Sequence, residues 1–456
     1  MNLKGSILRV FSANFLTMLS GIIVGFIVPA ILSIEAYANV KTYVFYVSYI
    51  GFMHFGFIDG MYIKYGGKNV NEINKKEFKV EHTIFLISQF IVTIIFILIA
   101  FAKKDLIIFL MALSIVPINA GAFHKLFYQA TGQFKKYASA SYIYTLIYLL
   151  LNVFLVVVFK SKNYIYYCLT TFIANVVVYI LLEIYFYKSF RKIKGKYSSS
   201  IWNNYSVGFI VLLGNLSVML FYAIDRWFIK LFFDTSAFAY YSFAVSMLNI
   251  INLLINAISI TFYNYLAKGE NEEKIKKLKN YFLIVGGFAS LGYFAFSGIV
   301  TLFLKKYEPA LSIIAISFAA YPYMIVINAL YVNLYKARRN EKKYLKVVLL
   351  MVIIAGVYNA IAVIIWRKPE GIAIATTLSF ITWYIYSIKD FTYLKIKFKE
   401  CLYLVVILSS FLLFSHRFNW FIGGLGYLLV LVGMCILIFK KEVIEVISLI
   451  KNKRVK

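Results

Sequence analysis

The run IVTIIFILIAF, Ile91 to Phe101, is broken by a single polar side chain, Thr93. A strand of a membrane barrel alternates apolar and polar residues, and an amphipathic helix shows a polar stripe every three or four. This run has neither pattern, so every face of it meets an apolar medium. It belongs to a block of about 20 such residues, which at 1.5 Å per residue crosses a ~30 Å hydrocarbon core as helix. Backbone groups in lipid must be satisfied within their own segment or in a closed barrel, which selects the helix.

The whole chain repeats the message. Its 456 residues are 62% hydrophobic and 19% aromatic, with only 15% charged, too little charge to cover a soluble protein of this size. The fold class expected is an all-α integral membrane protein. A net charge of +29 does not point to nucleic acid, because the basic residues stand in small groups between apolar blocks, with no soluble basic domain to hold a duplex. Cys168, Cys401 and Cys435 are scattered and have neither metal spacing nor a disulfide framework. Lys4 and Arg9 precede an apolar run from Phe11 to about Leu32. That run exceeds the ~7–15 residues of a signal-peptide core and is expected to be a retained first span.

Fourteen spans are expected, at about 11–33, 42–58, 83–102, 105–124, 138–159, 165–187, 205–225, 238–262, 281–304, 309–333, 345–366, 371–393, 401–415 and 420–439. With the N-terminus inside, 36 of the 48 Lys and Arg fall on the cytoplasmic side and 12 on the other. Each inner loop is richer in them than each outer one, as positive-inside topology requires, so both termini are expected in the cytoplasm.

Two connections share a pattern. YQATGQFKKY (Tyr128 to Tyr137) and YKARRNEKKY (Tyr335 to Tyr344) both fit Y-x-A-x4-K-K-Y, 207 residues apart. The offset spans six helices, and an even number gives two halves of the same orientation, related by an axis along the membrane normal. The organisation expected is a six-helix lobe over 1–200, a second over 201–397, and two further helices with a basic tail over 398–456. Two lobes without a soluble domain suggest a transporter whose path lies between them.

GFIDGMYIKYGGK (Gly56 to Lys68) resembles the Gly-rich, basic stretch ending the second span of bacterial polysaccharide flippases. LLGNLSVMLFYAIDRWFIKLFF (Leu212 to Phe233), followed by AFAYYSFAVSML (Ala237 to Leu248), resembles their seventh and eighth spans, with an Asp-Arg pair ending one and a Tyr-Tyr-Ser start to the next. These proteins belong to the multidrug/oligosaccharidyl-lipid/polysaccharide exporter superfamily. The resemblance implies two lobes around a central cavity, and as cargo an undecaprenyl-pyrophosphate-linked oligosaccharide moved to the outer leaflet of the bacterial cytoplasmic membrane by alternating access. It implies membrane lipids and other polysaccharide-assembly membrane proteins as partners, no cofactor, and no enzymatic activity.

Such a cargo needs a hydrated cavity with cationic and hydrogen-bonding walls. The Asp225–Arg226 pair stands at the expected outer end of the seventh span, as a headgroup anchor or as the cavity mouth. Gly208, Asn215, Tyr222 and Arg226 share an arc of that helix. Ser246, Asn249, Asn252 and Asn256 form a polar stripe on the eighth, to pair helices or to contact saccharide. Asn14, Thr17 and Gly21 share a face of the first, where Gly21 and Gly25 form a small-xxx-small pair expected to pack closely. Pro29, Pro117 and Pro322 are candidates for bends. Lys64 is expected at the inner mouth, either solvated or capturing pyrophosphate. His54, His82, His124 and His416 are dispersed and suggest no metal site; of these, His54 and His124 could titrate in a transport cycle. There is no phosphate-binding GxxxxGK[ST] loop. The carboxylates near span ends are Asp59, Glu183 and Asp225. A drug exporter of the same superfamily, a flippase for a teichoic-acid or peptidoglycan precursor, and a multi-span glycosyltransferase or polymerase remain as alternatives.

Overall fold

A computed structural model describes the backbone of residues 3–266 and 271–453; side chains are described from Phe11 onward, except at several positions within 253–265 and 446–453. The described chain is helical, with no strand among the described residues. It divides into two compact units, Met1–Leu216 and Ser217–Lys456.

The first unit holds α1 (Leu3–Ile31), α2 (Ile34–Val47), α3 (Phe57–Tyr65), α4 (Lys75–Lys103), α5 (Leu106–Ala130), α6 (Phe134–Val153) and α7 (Tyr164–Phe190). The seam between the units falls inside α8 (Trp202–Phe232). The second unit continues with α9 (Thr235–Leu266), α10 (Glu272–Ser290), α11 (Gly292–Phe303), α12 (Ala310–Phe318), α13 (Tyr321–Val326) and α14 (Val332–Ala337). It ends with α15 (Glu341–Ile365), α16 (Pro369–Ser387), α17 (Phe398–Arg417), α18 (Trp420–Ile438) and α19 (Lys440–Lys453).

All fourteen expected spans fall on helical elements, and several are longer or more broken than a plain span. Among the described residues, ten helical stretches are long and apolar enough to cross a membrane, and an eleventh is a pair bent by 46° at the junction of α12 with Tyr321–Ala337. Pro322 stands in the first turn after that break, where its missing N–H costs no helical bond. The expected second span is not one helix: α2 stops at Val47, a short 3₁₀ turn covers Ile50–Phe52, and Phe55 and Gly56 take left-handed φ of 51° and 87° before α3 begins. In α16 the hydroxyls of Thr376, Thr377, Ser379 and Thr382 dilute the apolar content. Short polar side chains set where helices start: Asp105 Oδ1 accepts from the N–H of Ile107 and of Ile108 at 2.8 and 3.0 Å, and Asn419 Oδ1 from that of Ile422 at 2.8 Å.

The first unit packs around an aromatic core that includes Phe57, Tyr65, Phe78, Phe85, Phe123, Phe127 and Phe186. Here α3 crosses the start of α8 on glycine: a Cβ on Gly60 would lie 2.0 Å from the Asn204 carbonyl oxygen, and one on Gly208 1.8 Å from that of Gly56. The close packing expected at Gly21 and Gly25 is not there, since a Cβ at either meets nothing within 4 Å. The tight seam belongs to Gly56 and Gly60 instead, because there two backbones meet.

The two matching loops adopt the same turn. Gln133 N–H donates to the Tyr128 carbonyl at 2.7 Å, and Asn340 N–H to that of Tyr335 at 2.9 Å. Thr131 bonds back to Phe127 as Arg338 does to Leu334, and Gly132 and Arg339 both take left-handed φ, 70° and 51°. Every pair is related by the 207-residue offset.

Candidate functional site

The second unit contains a cavity of about 450 Å³ whose walls are stripes of four helices, with Tyr344 of α15 also in the lining. Val218, Tyr222, Asp225 and Arg226 come from α8, and Val245, Asn249, Asn252 and Ser259 from α9, each set at helical spacing so that one face turns inward. The bent segment after α12 contributes Met324, Asn328 and Lys336, and α16 contributes Thr376, Thr377 and Phe380.

Asp225 answers a question of burial. It is 6% exposed, and its carboxylate is matched: Oδ1 accepts the Arg226 backbone N–H at 2.6 Å and Oδ2 accepts the Tyr241 hydroxyl at 2.8 Å. The acid therefore ties α8 to α9, while the Arg226 charge next to it lines the cavity. The pair was expected at the end of its span, but α8 runs on to Phe232, roughly 10 Å further at 1.5 Å per residue. Asp234 then turns the chain by accepting from the Ala237 N–H at 2.7 Å, and α9 begins.

Across the cavity the backbone widens into a π-helical turn over Ile327–Tyr331, a distortion that frees backbone groups and is frequent at functional sites. Tyr222 donates to Asn328 Oδ1 at 2.7 Å, and Ser259 donates to the Asn328 carbonyl at 2.9 Å. Asn333 Nδ2 in turn donates to the Ser259 carbonyl at 2.9 Å, fixing α9 against this turn. Among the described residues, Asn252 Oδ1 is buried with no hydrogen-bond partner. The cavity thus presents two cations, Arg226 and Lys336, amides and hydroxyls, on a frame held by its own hydrogen bonds.

Of the residues expected to carry function, Tyr222, Asp225, Arg226, Asn249 and Asn252 meet in this cavity. The side chain of Asn256 lies outside the described residues. Ser246 bonds back to the Ser242 carbonyl at 2.8 Å. Asn215 and Asn14 are exposed and are not among the cavity's lining residues, and Gly208 of the same arc is used in the crossing with α3. Lys64 is not a free cation. Its Nζ lies 2.6 Å from both Glu77 and Glu81, so its charge is already matched within the first unit.

Sequence reasoning missed Asn328 and Lys336, which the bend of the tenth span turns inward. It also missed a cluster in the first unit: His82, His124 and Glu183, with both imidazole Nε2 atoms converging on Glu183 Oε1 at 2.9 and 2.8 Å. The alternation of spans puts the ends carrying these three residues on one side, which was the available signal.

No protein-family profile and no curated protein matches the sequence. Among solved structures, the lipid II flippase MurJ in its inward closed conformation has a TM-score of 0.70 at 14% identity, over 95% of this chain and 99% of its own. The MATE multidrug transporter DinF-BH has a TM-score of 0.51 at 14% identity, over 87% of this chain and 96% of its own. The chain has the fold of these two transporters, and its many long apolar helices make it a multi-pass membrane protein.

Proposed function

We propose that this chain is a flippase that carries an undecaprenyl-pyrophosphate-linked oligosaccharide from the inner to the outer leaflet of the bacterial cytoplasmic membrane. The observation that carries this reading is the cavity in the second unit, where Arg226 and Lys336 stand among Tyr222, Asn249, Asn252 and Asn328. Cations match a pyrophosphate, and amides and hydroxyls match sugar hydroxyls. At about 450 Å³ the cavity is within the ~300–1,000 Å³ usual for small-ligand sites, which suits a pyrophosphate with its first sugar while the lipid tail stays in the membrane. In a cell negative inside, outward movement of an anionic head group is favoured by about 2.3 kcal/mol per charge per 100 mV, so membrane potential serves as the driver in this reading. In this reading both termini lie in the cytoplasm and transport proceeds by alternating access.

A peptidoglycan precursor is the second reading, favoured by the fold likeness to MurJ; the same cations serve it. Depletion in the native host, followed by mass spectrometry of lipid-linked saccharides with an impermeant probe for leaflet, tests both. Accumulation of one lipid-linked oligosaccharide on the cytoplasmic side is expected, and its mass names the cargo. Arg226→Ala should reproduce the accumulation with a normally folded protein. Unchanged pools and a normal surface glycan would remove the flippase reading and make drug efflux the next test.

A further inference from the structure

We propose that His82, His124 and Glu183 form a binding site for one divalent first-row transition-metal ion, of the zinc class, in the first unit. The three residues come from three helices, α4, α5 and α7, and their donor atoms all lie within 4.8 Å of one another. His82 Nε2 and His124 Nε2 are 2.9 and 2.8 Å from the same carboxylate oxygen, Glu183 Oε1. Two imidazoles and a carboxylate are a donor set for zinc and its neighbours, not for calcium or magnesium, which take oxygen.

An ion is accepted by opening the two His–Glu separations and bringing the two imidazole nitrogens, which lie within 4.8 Å of each other, to the same spacing. Around a tetrahedral metal with bonds of about 2.0–2.1 Å, donor atoms stand roughly 3.3 Å apart. The two His–Glu separations must therefore open by about half an ångström, within the reach of side-chain rotation on fixed helices. The imidazole N–H groups that now point at Glu183 give up that position to the metal, and each ring then coordinates through Nε2 with its proton on Nδ1.

The surroundings hold the donors and leave an approach open. Phe186 packs on both imidazoles, with ring centroids 4.0 Å from His82 and 5.4 Å from His124, and Phe123 lies 5.5 Å from His82. His124 is 1% exposed at its side chain and His82 6%, but Glu183 is 23% exposed. His82 and Glu183 also line a cavity of about 420 Å³, which gives a route in and room for a water as fourth ligand. Two cations share that cavity wall, Lys79 and Arg191; Lys79 is directed to the Phe190 and Ile193 carbonyls at 3.2 and 2.8 Å. A hydrogen-bonded latch between helices would use the same three side chains, since one carboxylate oxygen can accept from two imidazoles. What points to chelation is that three helices bring two imidazole nitrogens and a carboxylate oxygen to one place beside an accessible cavity.

The test uses the full chain in detergent, purified on a tag that lacks histidine, with Zn²⁺ as the probe. One equivalent of zinc per chain is expected by elemental analysis after dialysis, with Zn²⁺ raising and a chelator lowering the unfolding temperature. Glu183→Gln and His124→Ala should each weaken zinc binding at least tenfold, while His416→Ala leaves it unchanged. Glu183→Gln keeps side-chain size and a carbonyl acceptor, so its monodispersity on a sizing column separates lost binding from lost fold. With Co²⁺ in place of Zn²⁺, the wild type should show the visible absorption of a tetrahedral site. Less than a tenth of an equivalent bound by the wild type, or full binding by Glu183→Gln, would overturn the proposal and leave the cluster a hydrogen-bonded latch.

Discussion

Gly208 meets Gly56 backbone to backbone: a Cβ on Gly208 would sit 1.8 Å from the Gly56 carbonyl oxygen and 2.5 Å from the Gly60 nitrogen. Neither neighbour is a flexible side chain, so Gly208→Ala must push α3 off the start of α8. The loss expected is about 3 kcal/mol, at the upper end of overpacking costs, seen as a lower unfolding temperature or a failure to purify. Gly21→Ala meets nothing within 4 Å and should leave unfolding unchanged or slightly raised, as alanine favours helix.

Tyr241→Phe removes the donor to Asp225 Oδ2 and leaves a buried carboxylate oxygen without its partner. A cost of about 1–3 kcal/mol is expected in thermal unfolding. Because the two side chains act as one unit, Asp225→Ala with Tyr241→Phe should cost less than the sum of the single changes. Simple additivity would show that the bond does not carry the α8–α9 contact.

The helices after residue 397 are tied into the second unit by charge. Lys279 Nζ of α10 is 2.7 Å from Glu400 of α17 and 2.8 Å from the Leu394 carbonyl, and Tyr384 donates to the same carboxylate. Lys279 is 3% exposed. Removing one partner of a buried pair costs about 3–5 kcal/mol, so Lys279→Met should destabilise strongly. Truncation after Lys397 should not yield a monodisperse protein. Recovery of a stable truncated chain would mean that the pair is dispensable.

Asp59 is partly buried, and burial pushes its carboxyl up to about 6; His54 Nε2 stands 3.8 Å away. A carboxyl whose folded value is raised favours the protonated fold, so its penalty is absent below about pH 4 and complete above about pH 6. Asp59→Asn should raise stability by about 1 kcal/mol at pH 7.5, a figure discounted for partial exposure. The gain should vanish near pH 4. Unfolding temperatures of the two proteins between pH 4 and 8 give the test, and a gain that did not change with pH would rule out titration of Asp59 as its cause.

The second copy of the repeated turn places Arg339 where the first has Gly132, at φ 51°. A side chain in that conformation is strained by roughly 1 kcal/mol. Arg339→Gly should therefore raise stability by a few tenths to 1 kcal/mol in thermal unfolding, and Gly132→Ala should lower it.

Much of this protein was legible along the chain because lipid allows so few solutions. Runs such as Ile91–Phe101 can only be helices. The Y-x-A-x4-K-K-Y pair marked two turns whose hydrogen bonds coincide, and helical spacing on α8 and α9 selected Tyr222, Arg226, Asn249 and Asn252, which share one cavity. Tertiary structure decided the rest. The break at Phe55–Gly56 and the π turn at Asn328 arise where backbone groups find partners on other helices, which no periodicity records. Lys64 found Glu77 and Glu81, Gly21 found no neighbour while Gly60 found Asn204, and two histidines 42 residues apart met over Glu183. Spacing within one helix is local geometry and can be read from sequence. Which faces of different helices meet depends on packing, and a single chain does not spell that out.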